Sequence, residues 1–320
     1  MRSPRKILII LLATVLLTLL LSLRYGTETL SFSQMVSALS PGNSHHFMLV
    51  NYRLPRALLA LFIGAALALS GVLVQAVIRN PLASPEILGI NHAAGLTSVA
   101  ALMIWPALSV LWLPPLAFVG GLLAFTLLNV MGGSRAPVRL ALLGVALTAF
   151  YAGLTDYLLL SHPLDINNAL LWLTGSLWGR SWPFVWVSLP CLTVLLPLSL
   201  LLCRELDVLA LGETRAATLG VPVRQVSFFA LLLAVALAAI GVASCGPVSF
   251  IGLVAPHLTR RIIGGRHHWL IPAAMLAGAE LLLLADLLGR MLRPPLEIPA
   301  GVLTAIIGAP YFFWLLMRTR

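Results

Sequence analysis

Ten blocks of almost uninterrupted apolar sequence dominate this chain of 320 residues, near positions 7–23, 56–78, 87–105, 110–131, 140–160, 184–203, 223–243, 246–262, 269–289 and 300–317. Blocks of this length are what a bilayer demands, because about 20 apolar residues carry a helix across the ~30 Å hydrocarbon core. Without water in that core only helices or closed barrels satisfy the backbone, and barrel strands alternate in polarity. These blocks do not alternate. The sequence therefore predicts an all-α, polytopic bundle of ten transmembrane helices. With 60% hydrophobic and 9% charged residues, the spans consume nearly the whole chain, so residues 1–320 read as a single membrane domain.

One division needs an argument. Residues 226–258 run for 33 positions without a charge, which as one helix at ~1.5 Å per residue would be far longer than the hydrocarbon core. The Cys245-Gly246-Pro247 break divides it into two spans. The arginine distribution agrees: with ten spans 14 of the 20 basic residues fall on the side of the termini, whereas merging the pair gives only 11 against 9. Basic residues concentrate on the cytoplasmic side, so both termini are expected in the cytoplasm. The first block, after Met1 to Lys6, outruns a leader's apolar region and ends in Leu23-Arg24-Tyr25 rather than a small-x-small site. It reads as the first span.

Several functions are excluded by the residues themselves. Lys6 is the sole lysine, so no phosphate-cradling G-x-x-x-x-G-K-[ST] loop exists and the chain cannot be its own P-loop ATPase. Cys191, Cys203 and Cys245 have no short spacing, and the pairs His45-His46 and His267-His268 lack metal-ligand context. No metal site, cofactor or catalytic constellation is expected. The net charge of +10 reports orientation in lipid rather than affinity for nucleic acid. Asp156, Glu280 and Asp286 lie in or near the spans, where an unpaired charge costs at least ~2.5 kcal/mol. They admit two readings: the proton relay of a secondary transporter, or structural hydrogen bonding.

Four segments stand out. In RNPLASPEILGINHAAGL, Arg79 to Leu96, Pro81 stops the second span, and Ser84, Pro85 and Glu86 read as the N-cap and first turn of the third. Leu82 there marks a constriction. The connection Arg204 to Arg224 contains a short helix, Glu213 to Leu219, stopped by Gly220 and Pro222. It offers Leu209, Leu211, Leu219 and Val221 either to a docking partner or to the bundle itself. Arg53 and Arg56 flank Pro55 at the start of a span, where a cation opposes the helix dipole, so an acidic partner outside would rationalise them. Arg290 either pairs with Asp286, four residues earlier, or faces outward. Trp172, Trp178, Trp182 and Trp186 read as interfacial anchors. The triplets Ala60, Gly64, Ala68 and Gly301, Ala305, Ala309 have the small-xxx-small spacing that lets helices pack closely in lipid.

The strings RNPLASPEILG, LALGETRAATLG, GPVSFIGLVAPH (Gly246 to His257) and PAGVLTAIIGAP (Pro299 to Pro310) resemble the iron-siderophore and cobalamin permease family. These are membrane subunits of type II ATP-binding-cassette importers. Within it NNALLWLTGSLWGR, Asn167 to Arg180, is similar to permeases of ferric dicitrate importers. The resemblance implies the type II importer permease fold in a multi-pass protein of the inner membrane. It implies import of an iron(III) chelate by a subunit that makes and breaks no covalent bond. The implied partners are a cytoplasmic ATPase dimer that binds the ATP, a second, paralogous permease in a heterodimer, a periplasmic binding protein and membrane lipid. The family's ATPase-coupling helix falls on Leu209, Leu211, Gly212, Glu213, Leu219 and Gly220. Its binding-protein contacts fall on Arg53, Arg56 and Arg290. Its cytoplasmic gate falls on Asn80 and Leu82 and on Ala136, Pro137 and Val138, where Ala-Pro-Val replaces the cobalamin relative's small hydroxylated residues.

Overall fold

The computed structural model describes residues 3–26, 28–86, 88–132, 137–162, 166–294 and 296–318, and no strand occurs among them. Helix α1 (Pro4–Arg24) is followed by the short α2 (Phe32–Ser37), and a π-helical turn, Phe47–Arg53, runs straight into α3 (Leu54–Ile78). Then come α4 (Ile90–Ile104), α5 (Leu113–Gly132), α6 (Pro137–Ser161), α7 (Ile166–Leu173) and α8 (Trp182–Leu200). After these follow α9 (Cys203–Leu209), α10 (Glu213–Thr218), α11 (Val223–Cys245), α12 (Ile251–Ile263), α13 (His267–Met291) and α14 (Ala300–Arg318).

Each apolar block becomes a helix, but the expectation of ten full spans is corrected to seven. Among the described residues α1, the stretch 47–78, α5, α6, α8, α11 and α13 are long and apolar enough to cross a membrane. Of the other three, α4 has 15 residues and α12 has 13, and the described apolar part of α14 is Ala300–Trp314. At ~1.5 Å per residue, α4 and α12 reach only about 20 Å. For α4 and α12 the missing length is in the chain but not helical. Residues 79–86 and 88–89 lie in turns and connecting backbone that lead into α4, and residues 246–250 connect α11 to α12 in non-helical backbone.

Lipid supplies no hydrophobic drive for helix association, so the bundle is held by close packing. Helix α3 is its centre and is buried along most of its length. A Cβ on Gly64 would strike the Gly278 carbonyl of α13, and one on Gly278 would strike Gly64 and Ala68, so the first small-residue triplet is a helix contact, as its spacing predicts. Farther along α3, Gly71 presses on the backbone of Gly252 in α12. The second triplet behaves differently. Gly301 meets the carbonyls of Thr174 and Gly175 in the connection before α8, so its small residue admits loop backbone rather than another helix. Outside the triplet, Gly308 of the same helix meets the Phe250 side chain.

Candidate functional site

At one end of α3 the sequence-predicted arginines come together, but below the surface. Arg56 and Asp286 are 3% and 1% exposed, and Arg56 Nε donates to Asp286 Oδ1 at 2.8 Å. Arg56 Nη1 donates to Glu297 Oε2 at 2.7 Å and to the Tyr52 hydroxyl at 3.0 Å. Arg290 Nε lies 3.3 Å from Asp286 Oδ2, an ion pair without hydrogen-bond geometry, and its Nη2 donates to Ser22 Oγ at 2.6 Å. Of the two orientations open to Arg290, the structure takes the pairing with Asp286. Arg53, 2% exposed, spends its guanidinium on the carbonyls of Leu23, Arg24 and Glu28. The cations that oppose a helix N-terminus are thus offset from within the chain. Arg24 and Arg293 are the exposed arginines near this end, and sequence reasoning did not single them out.

Arg180, from the connection before α8, is different. Its Nε is buried without a hydrogen-bond partner among the described residues, its guanidinium carbon sits 4.6 Å from the Phe184 ring centre, and burial lowers its pKa, with the Cys245 thiol acting in the opposite sense.

At the other end of α3, Arg79 closes the helix in the left-handed region at φ 55°. Asn80 Oδ1 accepts the Leu82 N–H at 2.9 Å, and the Asn80 carbonyl accepts the Ala83 N–H at 3.1 Å. Asn80 is exposed and Leu82 half-buried. Ser84 is not the N-cap of α4. That position belongs to Gly89, at φ 75°, which abuts the carbonyl of Gly144 and the backbone of Thr148 in α6. Glu86 caps a different helix, its Oε1 accepting the Phe250 N–H at 3.1 Å at the start of α12. Of the other gate positions, Ala136 lies outside the described residues, while Pro137 and Val138 open α6.

Arg79 also reaches the long connection. Its Nη2 donates to Glu213 Oε1 at 2.7 Å across a surface pair, with side chains 32% and 52% exposed. Glu213 begins α10, flanked by Gly212 at φ 105° and Gly220 at φ 84°, so the short helix and its stop stand where the sequence predicts them. The two fates open to its apolar residues divide among them. Leu209 is buried at 1% and Val221 half-buried, whereas Leu211 and Leu219 are 53% and 63% exposed. Asp207 of α9 anchors the connection, its Oδ1 accepting the His267 N–H at 2.8 Å where α13 begins.

The two non-helical segments lie beside helices rather than beyond their ends. Gly241, one turn before α11 stops, faces Ile63 and Leu67, and Gly252 at the start of α12 faces Gly71. Residues 246–250 therefore run alongside the middle of α3. Gly89 likewise lies two to three turns into α6. Irregular backbone at such depth is tolerated only where protein buries it or a cavity faces it. Here Ser176 N–H donates to the Cys245 carbonyl at 2.7 Å, and Gly301 N–H to the Gly175 carbonyl at 2.7 Å. Against this region lies an open cavity of about 240 Å³ lined by Asn91 and His92 of α4, Thr155 and Asp156 of α6, Leu173 and Pro247.

The three acidic residues that could have formed a relay are separate. Asp286 belongs to the arginine network, Glu280 Oε1 accepts the Thr18 hydroxyl at 2.7 Å, and Asp156 lines the cavity. The tryptophans divide as well. Trp178 and Trp186 are 62% and 64% exposed, as anchors are, but Trp172 is buried and Trp182 donates to the Val50 carbonyl at 2.9 Å.

Comparison with known proteins gives a consistent result. The sequence model described as the FecCD transport family matches residues 13–318. The permease protein FecD of the Fe(3+) dicitrate transport system of Escherichia coli (strain K12) is 58% identical over 301 residues, which cover 94% of this chain and 95% of that one. The Fe(3+)-citrate import system permease protein YfmE of Bacillus subtilis (strain 168) is 43% identical, covering 98% and 96%. A metal-chelate type ABC transporter solved in an inward-facing conformation superposes with a TM-score of 0.87 at 31% identity, covering 98% of this chain and 99% of that one.

Proposed function

From a chain that belongs to the FecCD transport family, we infer a permease that carries ferric dicitrate from periplasm to cytoplasm, driven by a separate ATPase. It is a non-catalytic transport subunit of a metal-chelate importer. The observation that carries the choice of cargo is the 58% identity to the dicitrate permease over 94% of the chain.

In this reading the Arg79 end of α3 faces the cytoplasm, with both termini, and the Arg56 end faces the periplasm. The exposed Leu211 and Leu219 of the α10 connection seat in the ATPase, with Gly212 and Gly220 letting that short helix move as a unit. The bridge from Glu213 to Arg79 passes its displacement to the Asn80-Leu82 turn, which with Ala136, Pro137 and Val138 forms the gate. The transition is a rigid-body shift between two arrangements. At the periplasmic end Arg53, Arg56 and Arg290 shape the seat of the binding protein and set its positive field. Their internal hydrogen bonds must be exchanged before they pair directly with acidic groups on that partner. A second, unlike permease completes the path.

The test is reconstitution of the chain with its ATPase, companion permease and binding protein in proteoliposomes. ATP-dependent accumulation of iron supplied as ferric citrate is expected. Uptake that continues with the ATPase inactivated, or that follows an imposed proton gradient without it, would overturn the reading in favour of a secondary transporter.

A further inference from the structure

The cavity beside the two interruptions has features that packing alone does not explain. Asn91 is 3% exposed, lines the space, and its Oδ1 is buried with no hydrogen-bond partner among the described residues. A buried amide oxygen is ordinarily paired. Asp156 is exposed on α6, whose other outward residues include Leu142, Val145, Phe150, Leu154 and Leu160. A carboxylate directed into lipid from such a face would be costly, and intramembrane carboxylates face water-filled space or the bundle interior. His92, also exposed, lines the same opening. In secondary transporters, discontinuous helices near the middle of the membrane are where cargo is held, and interrupted helices beside a polar cavity offer the same geometry here.

We propose that this cavity is the chain's own contact site for its cargo. Asn91 and His92 supply hydrogen bonds to the oxygen-rich surface of an iron(III) hydroxycarboxylate, and Asp156 keeps the mouth wet. At about 240 Å³ the space falls below the roughly 300–1,000 Å³ of a complete small-molecule pocket, so the companion permease supplies the opposite wall. Among the described residues the lining has amide, imidazole, hydroxyl and carboxylate groups but no arginine or lysine. It therefore reads the chelate by hydrogen bonds without trapping its negative charge, as a path must if the cargo is to leave. This site rests on the reading of the chain as an iron-chelate permease.

The experiment uses the complete transport complex in proteoliposomes with radioactive ferric citrate. Asn91→Leu keeps the side chain's approximate size and removes its polar atoms. It is expected to lower uptake about tenfold, equivalent to ~1.4 kcal/mol, with an unchanged yield of assembled complex and unchanged affinity of the binding protein for the permease. Independently, Ala152→Cys places a thiol on the cavity wall. In a background lacking Cys191 and Cys203, with the fully buried Cys245 left in place, its reaction with a maleimide should slow at least about twofold when the loaded binding protein and ATP are added. Wild-type uptake by Asn91→Leu, or labelling at position 152 indifferent to cargo, overturns the site. A wild-type complex that imports no ferric citrate overturns the reading beneath it instead.

Discussion

The two ends of α3 carry the same chemistry in opposite surroundings. Arg56 meets Asp286 at 2.8 Å and Arg79 meets Glu213 at 2.7 Å, so distance does not tell the pairs apart. Burial does. The first pair is 3% and 1% exposed and shares its carboxylate with Arg290, while the second is 32% and 52% exposed and has a single contact. A buried carboxylate between two guanidiniums is part of the scaffold, since removing it strands cations where water cannot replace it. A surface pair between a turn and a six-residue helix contributes little stability and can open and re-form. Arginine at one end fixes shape; at the other it can transmit movement.

The contrast is sharpest at Asp286. Asp286→Ala leaves Arg56 and Arg290 without their shared anion and should cost about 3–5 kcal/mol, read as a collapse in detergent-resistant folded protein. Wild-type thermal stability in that variant would break the comparison. Arg56→Lys keeps the charge but cannot reproduce the planar fork that bonds Asp286, Glu297 and Tyr52 together. Losing one charge-assisted bond should cost about 1.5–3 kcal/mol, measured as a shift of the denaturation midpoint. Glu213→Gln at the opposite end should change stability by no more than about 1 kcal/mol. If the pair transmits the stroke, it should nevertheless uncouple ATP hydrolysis from uptake. Smallest in stability is Leu211→Ser, within about 0.5 kcal/mol for an exposed position. Its effect should fall on co-purification of the ATPase, and retained ATPase would remove Leu211 from the docking surface.

What the sequence made legible was local. The Gly246-Pro247 break follows from a stretch too long for one helix, and the end of α10 follows from Gly220 and Pro222; both stand in the structure. The number of full spans was not legible, because apolarity marks residues 88–89 and 246–250 as membrane-buried without saying that they are not helical. Ser84, Pro85 and Glu86 form a sound capping signal, yet Glu86 serves α12 from 164 positions away. The burial of Arg56 depends on Asp286 and Glu297, 230 and 241 positions distant, which no pattern along the chain encodes. Asn91, His92 and Asp156 converge only when α4 and α6 lie side by side. Asn91 and His92 stand within the string Arg79 to Leu96, but that string was read for its turn rather than for these side chains.

The shortness of α12 bears on how the polypeptide is built. Thirteen residues that include Arg260 and Arg261 are a poor candidate for independent release into lipid from the insertion machinery. Helix α3, synthesised long before, offers the glycine notch at Gly71 into which Gly252 fits, and α13 follows directly to close the other side. Biogenesis of this segment is thus a cooperative event. Nascent chains truncated just after α12 should leave it accessible to protease in isolated membranes, and extending them through α13 should protect it.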